Sequence, residues 1–183
     1  MKVWDRGVRL GHWTLAASVA IAWLSTIAAL TAVGIAGAWH QPAGYVALAV
    51  VLLRVLWGIV APNRYARFAQ FVRAPHATWA YARDVLAHRE PRYLGHNPLG
   101  AWMIVALMGC VAGLALTGWL YTTDAFFGDA TVETVHEAFA WAMLALVALH
   151  VAGVIATGRT HGESLVAALW HGRKRAPQPG DIN

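Results

Sequence analysis

The side chains of this chain that are best suited to chemistry inside a membrane are four histidines. They are His12, His40, His136 and His150. Each lies in or at the edge of a hydrophobic stretch long enough to cross a bilayer. An ionisable residue is costly at that depth and marks a functional site by default. Because neutral imidazole is a common metal ligand, we interpret the four side chains as candidate metal ligands.

The spacing of two of these histidines indicates what they hold. His136 and His150 are 14 residues apart on one predicted helix. At 1.5 Å of rise per residue they are about 21 Å apart along the axis, and at about 100° per residue they share nearly one face. This is a suitable geometry for gripping two flat cofactors stacked across a membrane.

The composition indicates an integral membrane protein. Of 183 residues, 58% are hydrophobic and 13% are charged, whereas a soluble domain carries about 25% charge. Ten tryptophans fit the aromatic belts of membrane interfaces. The single cysteine, Cys110, excludes a disulfide within the chain, and we interpret it as an inert packed residue. No Cys-x-x-Cys-His motif is present, so any haem is held without covalent bonds to the porphyrin.

Four apolar runs reach or approach the roughly 20 residues that a membrane-spanning helix requires. They cover about Leu10–Gly34, Ala43–Ala61, Leu99–Tyr121 and Val132–Thr157. Pro42 stands where the start of a helix tolerates proline, and Pro62 ends the second run. Asn97 is a candidate cap for the third run, with Pro98 at the first helical position.

The basic residues predict the orientation of these four spans. They precede the first span, lie between the second and third, and follow the fourth; these residues are Lys2, Arg6, Arg9, Arg64, Arg67, Arg73, Arg83, Arg89, Arg92, Arg159, Arg173, Lys174 and Arg175. The two remaining loops, near 35–41 and 122–131, contain no Lys or Arg. Since basic residues mark the cytoplasmic side, both termini and the central loop are predicted to be cytoplasmic.

A signal peptide is the competing interpretation of the N-terminus, because Ala36-Gly37-Ala38 resembles a cleavage site. The apolar run is longer than the usual stretch of about 7–15 residues in such peptides, so we favour a retained span. Residues 1–175 are predicted to form one transmembrane domain. Two amphipathic segments, about Pro75–His88 and Glu163–Trp170, are predicted to lie on the cytoplasmic surface. Residues 176–183 are predicted to be a disordered tail.

Under this topology the four histidines pair by depth. His12 and His150 lie toward the cytoplasmic side and form the inner pair. His40 and His136 lie toward the periplasmic side and form the outer pair. Two axial imidazoles hold haem iron when no open coordination position is needed. The sequence therefore predicts two bis-histidine haems that carry electrons rather than bind oxygen.

Two alternatives remain for these histidines. A lone intramembrane histidine commonly makes a hydrogen bond between helices. Zinc is the other metal to consider, but its tetrahedral site needs clustered ligands, and each pair is too sparse for one. The other histidines are expected to be solvated or interfacial, with His96 of interest because it lies beside the start of the third span. They are His76, His88, His96, His161 and His171.

Arg54 is the one basic residue inside a span, and it follows His40 by 14 residues, as His150 follows His136. Spans two and four run in the same direction, so Arg54 is predicted to lie level with His150. There its guanidinium suits a haem propionate, although it could instead reach toward the cytoplasmic surface. A mostly small stripe allows a macrocycle or another helix to approach this face. It comprises Gly44, Ala47, Val51, Arg54 and Gly58.

Several short motifs stand in order along nearly the whole chain. They are Val3-Trp4-Asp5-Arg6 with Arg9 and His12-Trp13; His40 with Gly44-Tyr45; Arg54 with Trp57-Gly58; Ala66-Arg67-Phe68; Arg92-Tyr93-Leu94-Gly95-His96-Asn97-Pro98-Leu99-Gly100; and His136-Glu137 followed by His150. In this ordered set the chain resembles the bacterial cytochrome b561 family, which includes the b-type cytochrome subunits of nickel-iron hydrogenases.

The resemblance implies an all-α integral membrane protein: a four-transmembrane-helix bundle that encloses two b haems, with electron exchange with quinone. It places the family's ligand positions at the four histidines paired above. The expected partners are membrane lipid, quinone and a periplasmic or membrane-bound redox protein, such as a c-type cytochrome, a hydrogenase or a dehydrogenase. The expected location is the bacterial inner membrane. We expect no nucleic-acid partner.

Three functions are compatible with these features. The first is an electron relay between a redox partner and the quinone pool, the second a stand-alone superoxide:quinone oxidoreductase, and the third a non-catalytic anchor. The predicted outer side carries acidic residues and no Lys or Arg, namely Asp124, Asp129, Glu133 and Glu137. Such a surface repels superoxide and suits a cationic or neutral donor. The charge pattern therefore favours the relay.

Overall fold

The computed structural model describes residues 1–27 and 37–183, and this part of the chain is all-helical. The α-helices are α1 (Arg6–Leu24), α2 (Gly37–Val60), α3 (Phe68–Phe71), α4 (Pro75–Leu86), α5 (Pro98–Leu120), α6 (Ala130–Thr160) and α7 (Leu165–His171). A 3-10 turn, Arg64–Ala66, precedes α3. Two isolated β-bridges, Lys2 to Arg173 and Tyr93 to Ile182, join non-helical segments.

Three of the described helices are long and apolar enough to cross a membrane: Ala38–Val60 within α2, all of α5 and all of α6. They correspond to the second, third and fourth predicted spans. The first predicted span begins within α1, but its later residues lie outside the described part of the chain. The candidate cleavage site and the start of the first outer loop also fall partly outside it.

The start of α5 matches its prediction, while the start of α2 does not. The Asn97 side chain accepts a hydrogen bond from the Gly100 N–H at 2.7 Å, and Pro98 is the first helical residue. In contrast, α2 begins at Gly37 and places Pro42 inside the helix. Proline removes one hydrogen bond to the carbonyl four residues earlier, a loss confined here to the first turns. As a result, His40 is a helical residue of α2.

The described residues form two compact units. The first unit comprises Met1–Arg9, Leu56–Ala106 and Val147–Asn183, and the second comprises Leu10–Val55 and Leu107–Leu146. In the first unit the N-terminal residues pair with the segment that follows α7. The backbone N–H groups of Val3 and Trp4 donate to the Gly172 carbonyl at 2.9 and 3.1 Å, and Lys174 N–H donates to the Met1 carbonyl. These bonds anchor the residues that lead into α1.

The last residues of the chain are also anchored within the first unit. Arg92 makes buried ion pairs with Glu163 at 3.0 Å and with Asp181 at 2.5 Å. The Ile182 N–H donates to the Arg92 carbonyl, and the Tyr65 hydroxyl donates to the Asn183 side chain. These contacts involve Asp181, Ile182 and Asn183, which lie in the segment 176–183 that the sequence analysis predicts to be disordered. The tail has few apolar residues, but its attachment is ionic and backbone-mediated, which composition does not reveal.

Both segments predicted to be amphipathic contain a helix. In α4, Tyr81 is buried against the ring of Tyr93, with ring centroids 5.4 Å apart, while Trp79 and Leu86 are exposed. Helix α7 is capped by the Ser164 side chain, which accepts a hydrogen bond from the Ala167 N–H. Polar capping and one buried aromatic face explain why these short segments are helical.

In the second unit α5 and α6 pack closely because a glycine faces an aromatic ring. A Cβ atom at Gly113 would lie 2.6 Å from the ring of Phe139. One turn earlier on α5, the buried Cys110 thiol donates to the Phe139 carbonyl at 3.2 Å. Small residues allow such close approach between membrane helices. The contact aligns α5 with the part of α6 that carries His136.

Candidate functional site

The outer pair of histidines comes together in the second unit. His40, on the first turn of α2, and His136, on the second turn of α6, have ring centroids 6.1 Å apart and ring planes inclined at 65°. Both side chains are half-buried. Two imidazoles from widely separated parts of the sequence thus meet between helices that are long enough to span a membrane.

The separation of the two rings fits one metal ion held between them. An imidazole nitrogen lies about 2.0 Å from a first-row metal ion that it binds, and the ring centre lies about 1 Å farther away. Two imidazoles on opposite sides of one ion therefore have ring centres about 6 Å apart. A direct hydrogen bond between the rings would bring their nitrogen atoms, and hence the centres, closer together.

The hydrogen bonds of His40 define its tautomer. Its Nδ1 lies 3.0 Å from the Ala22 carbonyl oxygen, which can only accept a hydrogen bond. Nδ1 therefore carries the proton. The Ser25 hydroxyl lies 3.2 Å from the same nitrogen and donates to the same carbonyl at 2.7 Å. In neutral His40 the lone pair available to a metal is thus on Nε2.

The same reasoning applies to His136. Its Nδ1 lies 2.8 Å from the Thr117 hydroxyl oxygen. The Thr117 hydroxyl donates to the Gly113 carbonyl at 2.8 Å, with the Leu114 carbonyl at 3.2 Å. We assign the hydroxyl proton to a backbone carbonyl, the usual partner of a threonine within a helix, so that the hydroxyl accepts from His136. His136 therefore also carries its proton on Nδ1 and presents the Nε2 lone pair.

This arrangement is the one that metal-binding histidines usually show. A ligating imidazole donates its second ring N–H to an oxygen acceptor, which fixes both the tautomer and the orientation of the ring. Gly118 contributes to the orientation of His136, because a Cβ atom there would lie 3.3 Å from the Cε1 atom of the ring. In this tautomer each ring of the outer pair has its lone pair on Nε2, the nitrogen that would bind a metal.

A buried hydrogen-bond donor lies on α1, one residue after Ala22. The indole N–H of Trp23 is buried and has no hydrogen-bond partner among residues 1–27 and 37–183. Its ring packs edge-on against Trp141 of α6, with centroids 5.5 Å apart. Because a buried indole N–H normally finds an acceptor, this donor suits a ligand that carries a carboxylate. The propionates of haem are carboxylates, so the residues around the outer pair fit that cofactor.

The two inner histidines lie in different units of the chain. His12 lies on α1 in the second unit, with its ring centroid 5.2 Å from that of Trp13. His150 lies on α6 in the first unit, and both imidazoles are half-buried. The inner pair remains a prediction from sequence depth.

Arg54 lies on α2, 14 residues after His40, and the nitrogen atoms at the end of its guanidinium are buried. The small-residue stripe on this helix serves more than one purpose. Ala47 and Val51 are buried, and a Cβ atom at Gly58 would overlap the ring of Phe68. At Gly44, one turn after His40, a Cβ atom would meet nothing within 4 Å. Close packing therefore explains Gly58, while Gly44 leaves space beside the outer pair.

His96 differs from the expectation of a solvated side chain. Its ring lies between Trp4 and Phe71, with centroids 4.6 and 4.4 Å away. These tilted ring contacts hold the residue before the Asn97 cap against the core of the first unit. Among the described residues, no group of three or more His, Cys, Asp or Glu side chains could hold a metal ion. The candidate metal ligands in this part of the chain are therefore paired imidazoles.

Three residues beside the outer pair are not evident from the sequence analysis. Thr117 and Trp23 carry polar atoms within the apolar helices α5 and α1, and Ser25 lies in the turn that follows α1; Ser25 and Thr117 are buried. A search for hydroxyl groups inside apolar runs would have found Ser25 and Thr117, since buried polar groups in a membrane need partners. Among the acidic residues between α5 and α6, Asp129 caps α6 by accepting from the Thr131 and Val132 N–H groups.

Comparison with known proteins identifies the family. The family model described as prokaryotic cytochrome b561 matches residues 3–172. No curated protein and no solved structure matches the chain. The matched range includes all four histidines, Arg54 and the polar residues beside the outer pair. The chain therefore belongs to the prokaryotic cytochrome b561 family, whose members are membrane proteins that bind b haem and transfer electrons.

Proposed function

We propose that this chain is a four-span inner-membrane cytochrome that holds two b haems. His40 and His136 bind the outer haem, and His12 and His150 bind the inner one. The protein moves single electrons between a redox partner and the quinone pool. In this proposal the two haems are about 21 Å apart along α6, which is the helical spacing between His136 and His150.

The observation that carries this proposal is the geometry of the outer pair. Two imidazoles with centroids 6.1 Å apart each donate Nδ1–H to a protein oxygen. Both Nε2 lone pairs are therefore available to one iron. With two axial imidazoles the iron has no open position, which suits electron transfer rather than oxygen binding. The buried Trp23 N–H, which has no hydrogen-bond partner among residues 1–27 and 37–183, supports the same assignment because it is a donor suited to a propionate.

The inner haem rests on spacing within two continuous helices. His150 follows His136 on α6 by the same 14 residues that separate Arg54 from His40 on α2. We assign Arg54 to a propionate of the inner haem, since a guanidinium matches a carboxylate in geometry and charge. This assignment accounts for a buried guanidinium within an apolar helix.

The haem supplies the one-electron chemistry, and the chain supplies its binding and environment. The Ala22 carbonyl and the Thr117 hydroxyl fix the orientations of His40 and His136, the proposed iron ligands. The apolar surfaces of α2, α5 and α6 exclude water from the site. A low-dielectric environment disfavours a net gain of charge, so these residues also influence the potential at which an electron is accepted.

The proposed orientation places both termini on the cytoplasmic side. Every Lys and Arg other than Arg54 falls in the segments predicted to be cytoplasmic, which obeys the positive-inside rule. The segment between α5 and α6 then faces the periplasm with Asp124 exposed and Glu133 on the first turn of α6. This acidic surface suits a basic or neutral redox partner, such as a c-type cytochrome, and repels superoxide.

The proposal is tested by counting haem in purified protein. The pyridine haemochrome assay should give about two b haems per chain, all low-spin. His40→Ala and His136→Ala should each lose the outer haem and keep one, and His150→Ala should lose the inner haem. His76→Ala is the control, because His76 is exposed on α4 and should keep both. Full haem content in His40→Ala or His136→Ala would contradict the proposal.

A second assay separates the relay from the superoxide:quinone oxidoreductase. The oxidised protein is mixed with superoxide in a stopped-flow instrument, and haem reduction is followed at the α band. We expect slow reduction, because the outer acidic residues repel an anion. Salt should weaken that repulsion. Fast reduction without a protein partner would contradict the relay and support the oxidoreductase.

A further inference from the structure

We infer that Thr117 is a positioning residue that lowers the reduction potential of the outer haem through its hydrogen bond with His136. This inference rests on the proposed function, in which His136 binds that haem. It assigns a role to α5, which carries no histidine. Through Thr117, α5 takes part in the cofactor site without supplying a ligand.

The geometry forms a short relay of hydrogen bonds. His136 Nδ1–H donates to the Thr117 hydroxyl at 2.8 Å, and this hydroxyl donates to the Gly113 carbonyl at 2.8 Å. Thr117 is 8% exposed, so the relay is shielded from solvent. Hydrogen bonds in such a chain polarise one another, which makes the hydroxyl a stronger acceptor than an isolated one.

The hydroxyl of Thr117 does not need His136 as a partner. Ser and Thr in helices commonly satisfy their hydroxyl by bonding a carbonyl of the preceding turn, as Thr117 does with Gly113. The contact with Nδ1 is therefore an additional interaction, and it is placed by the close packing of α5 on α6. Gly113 and Gly118 permit that packing, because a Cβ at either would press on Phe139 or His136.

The effect on the iron has a definite sign. An acceptor for Nδ1–H pushes electron density toward Nε2 and makes the imidazole a more basic ligand. The oxidised iron carries one more positive charge than the reduced iron, so a more basic ligand favours the oxidised state. Thr117 therefore lowers the potential of the outer haem, and its removal raises it.

The two ligands of the outer pair differ in what a substitution can change. His40 bonds the Ala22 carbonyl, which every residue type retains, and Ser25 only adds to that acceptor. The acceptor of His136 is the side chain of Thr117, which a substitution can remove. Loss of Thr117 should therefore weaken the interaction of Nδ1–H more than loss of Ser25 does.

The test uses haem-loaded protein and compares Thr117→Val with Thr117→Ser. Valine keeps the volume and removes the hydroxyl, whereas serine keeps the hydroxyl. Redox titration of Thr117→Val should show two haems, one of them with its reduction equilibrium constant raised about three- to tenfold; tenfold is about 59 mV for one electron. The EPR signal of that haem should shift, and Thr117→Ser should restore both values. Ser25→Ala should give a smaller change in the same direction.

Thr122→Val is the matched control, because Thr122 follows α5 and its exposed hydroxyl bonds the Trp119 carbonyl. It should leave both potentials unchanged. Unchanged potentials and EPR signals in Thr117→Val, or equal shifts in the valine and serine variants, would overturn the inference while His136→Ala still loses one haem. Full haem content in His136→Ala would overturn the proposed function, and the role of Thr117 would be lost with it.

Discussion

The two units of the chain are stabilised by different chemistry. In the first unit Arg92 makes ion pairs with Glu163 and Asp181, and none of the three side chains is more than 9% exposed. In the second unit the helices approach through small residues such as Gly113, and hydrogen bonds between helices converge on His40 and His136. Polar contacts therefore hold the chain termini in one unit and orient imidazoles in the other.

This difference separates stability from cofactor binding. Substitutions at the ion pairs of the first unit should lower the free energy of unfolding and leave the haem content of the folded protein unchanged. Substitutions around Gly113 and Gly118 should act first on the geometry of the outer pair.

Arg92→Ala should be the most destabilising change. It leaves Glu163 and Asp181 buried without their cation, and breaking a buried ion pair by removing one partner costs about 3–5 kcal/mol. Thermal unfolding of the detergent-solubilised protein measures the loss, with the exposed Arg83→Ala as control. The folded fraction should keep the haem content of the wild type. Loss of the outer haem from folded Arg92→Ala would contradict the separation.

Acid should also destabilise the fold, because it protonates the carboxylates that pair with Arg92. Burial alone would raise the pKa of Glu163, but the Arg175 N–H and the Arg92 guanidinium outweigh it and lower this pKa from 4.5; hydrogen bonds from Gln178 and Arg92 likewise lower that of Asp181 from 3.8. Carboxylates with lowered pKa values stabilise the fold above their unfolded values, and this contribution disappears as the pH falls through the folded ones. Melting temperature should therefore fall below about pH 4, and more steeply in the wild type than in Asp181→Asn.

Lys174 should give the opposite response in base. Burial lowers the pKa of its ammonium group to about 8, against the attraction of Glu163. The folded state then releases this proton before the unfolded state does, so stability should rise between about pH 8 and 10.5. The rise should be absent in Lys174→Met, measured by the same thermal assay. An identical pH profile in the wild type and in Lys174→Met would contradict the assignment of this rise to Lys174.

Gly113→Ala should disturb the second unit by a smaller amount. The new Cβ would lie 2.6 Å from the Phe139 ring, and overpacking of this kind costs about 1–3 kcal/mol. Phe139 is one turn from His136, so the outer haem should be bound less completely, as the pyridine haemochrome assay would show. Gly109→Ala is the control, because its Cβ meets nothing within 4 Å and alanine favours a helix. Equal haem content in both variants would argue against this route.

Gly118→Ala should have the smallest effect. Its Cβ would lie 3.3 Å from Cε1 of His136, a contact that a slight tilt of the ring relieves. We expect both haems to remain bound and the EPR signal of one to shift, because that signal depends on the orientation of the axial imidazoles. Gly109→Ala again serves as the control. An EPR shift of the same size in Gly109→Ala would show that the shift in Gly118→Ala does not come from the contact with His136.

The sequence predicts some parts of this structure well because they depend on local rules. The Asn97 cap and the three described spans follow from capping chemistry and hydropathy, and the alternating direction of successive spans brings His40 close to His136. The predicted start of α2 was wrong, because Pro42 is tolerated within the first turns of the helix. The anchored tail and the contact of Thr117 with His136 depend on tertiary packing. Neither residue spacing nor composition carries that information.

The central claim is that one iron lies between His40 and His136. An experimental structure of the haem-loaded protein in lipid nanodiscs tests it most directly. We predict iron about 2.0 Å from Nε2 of both histidines, a usual distance for imidazole on a first-row metal. The Nδ1 atoms should still donate to the Ala22 carbonyl and the Thr117 hydroxyl. Iron bound through Nδ1, or held by only one of the two histidines, would contradict the account.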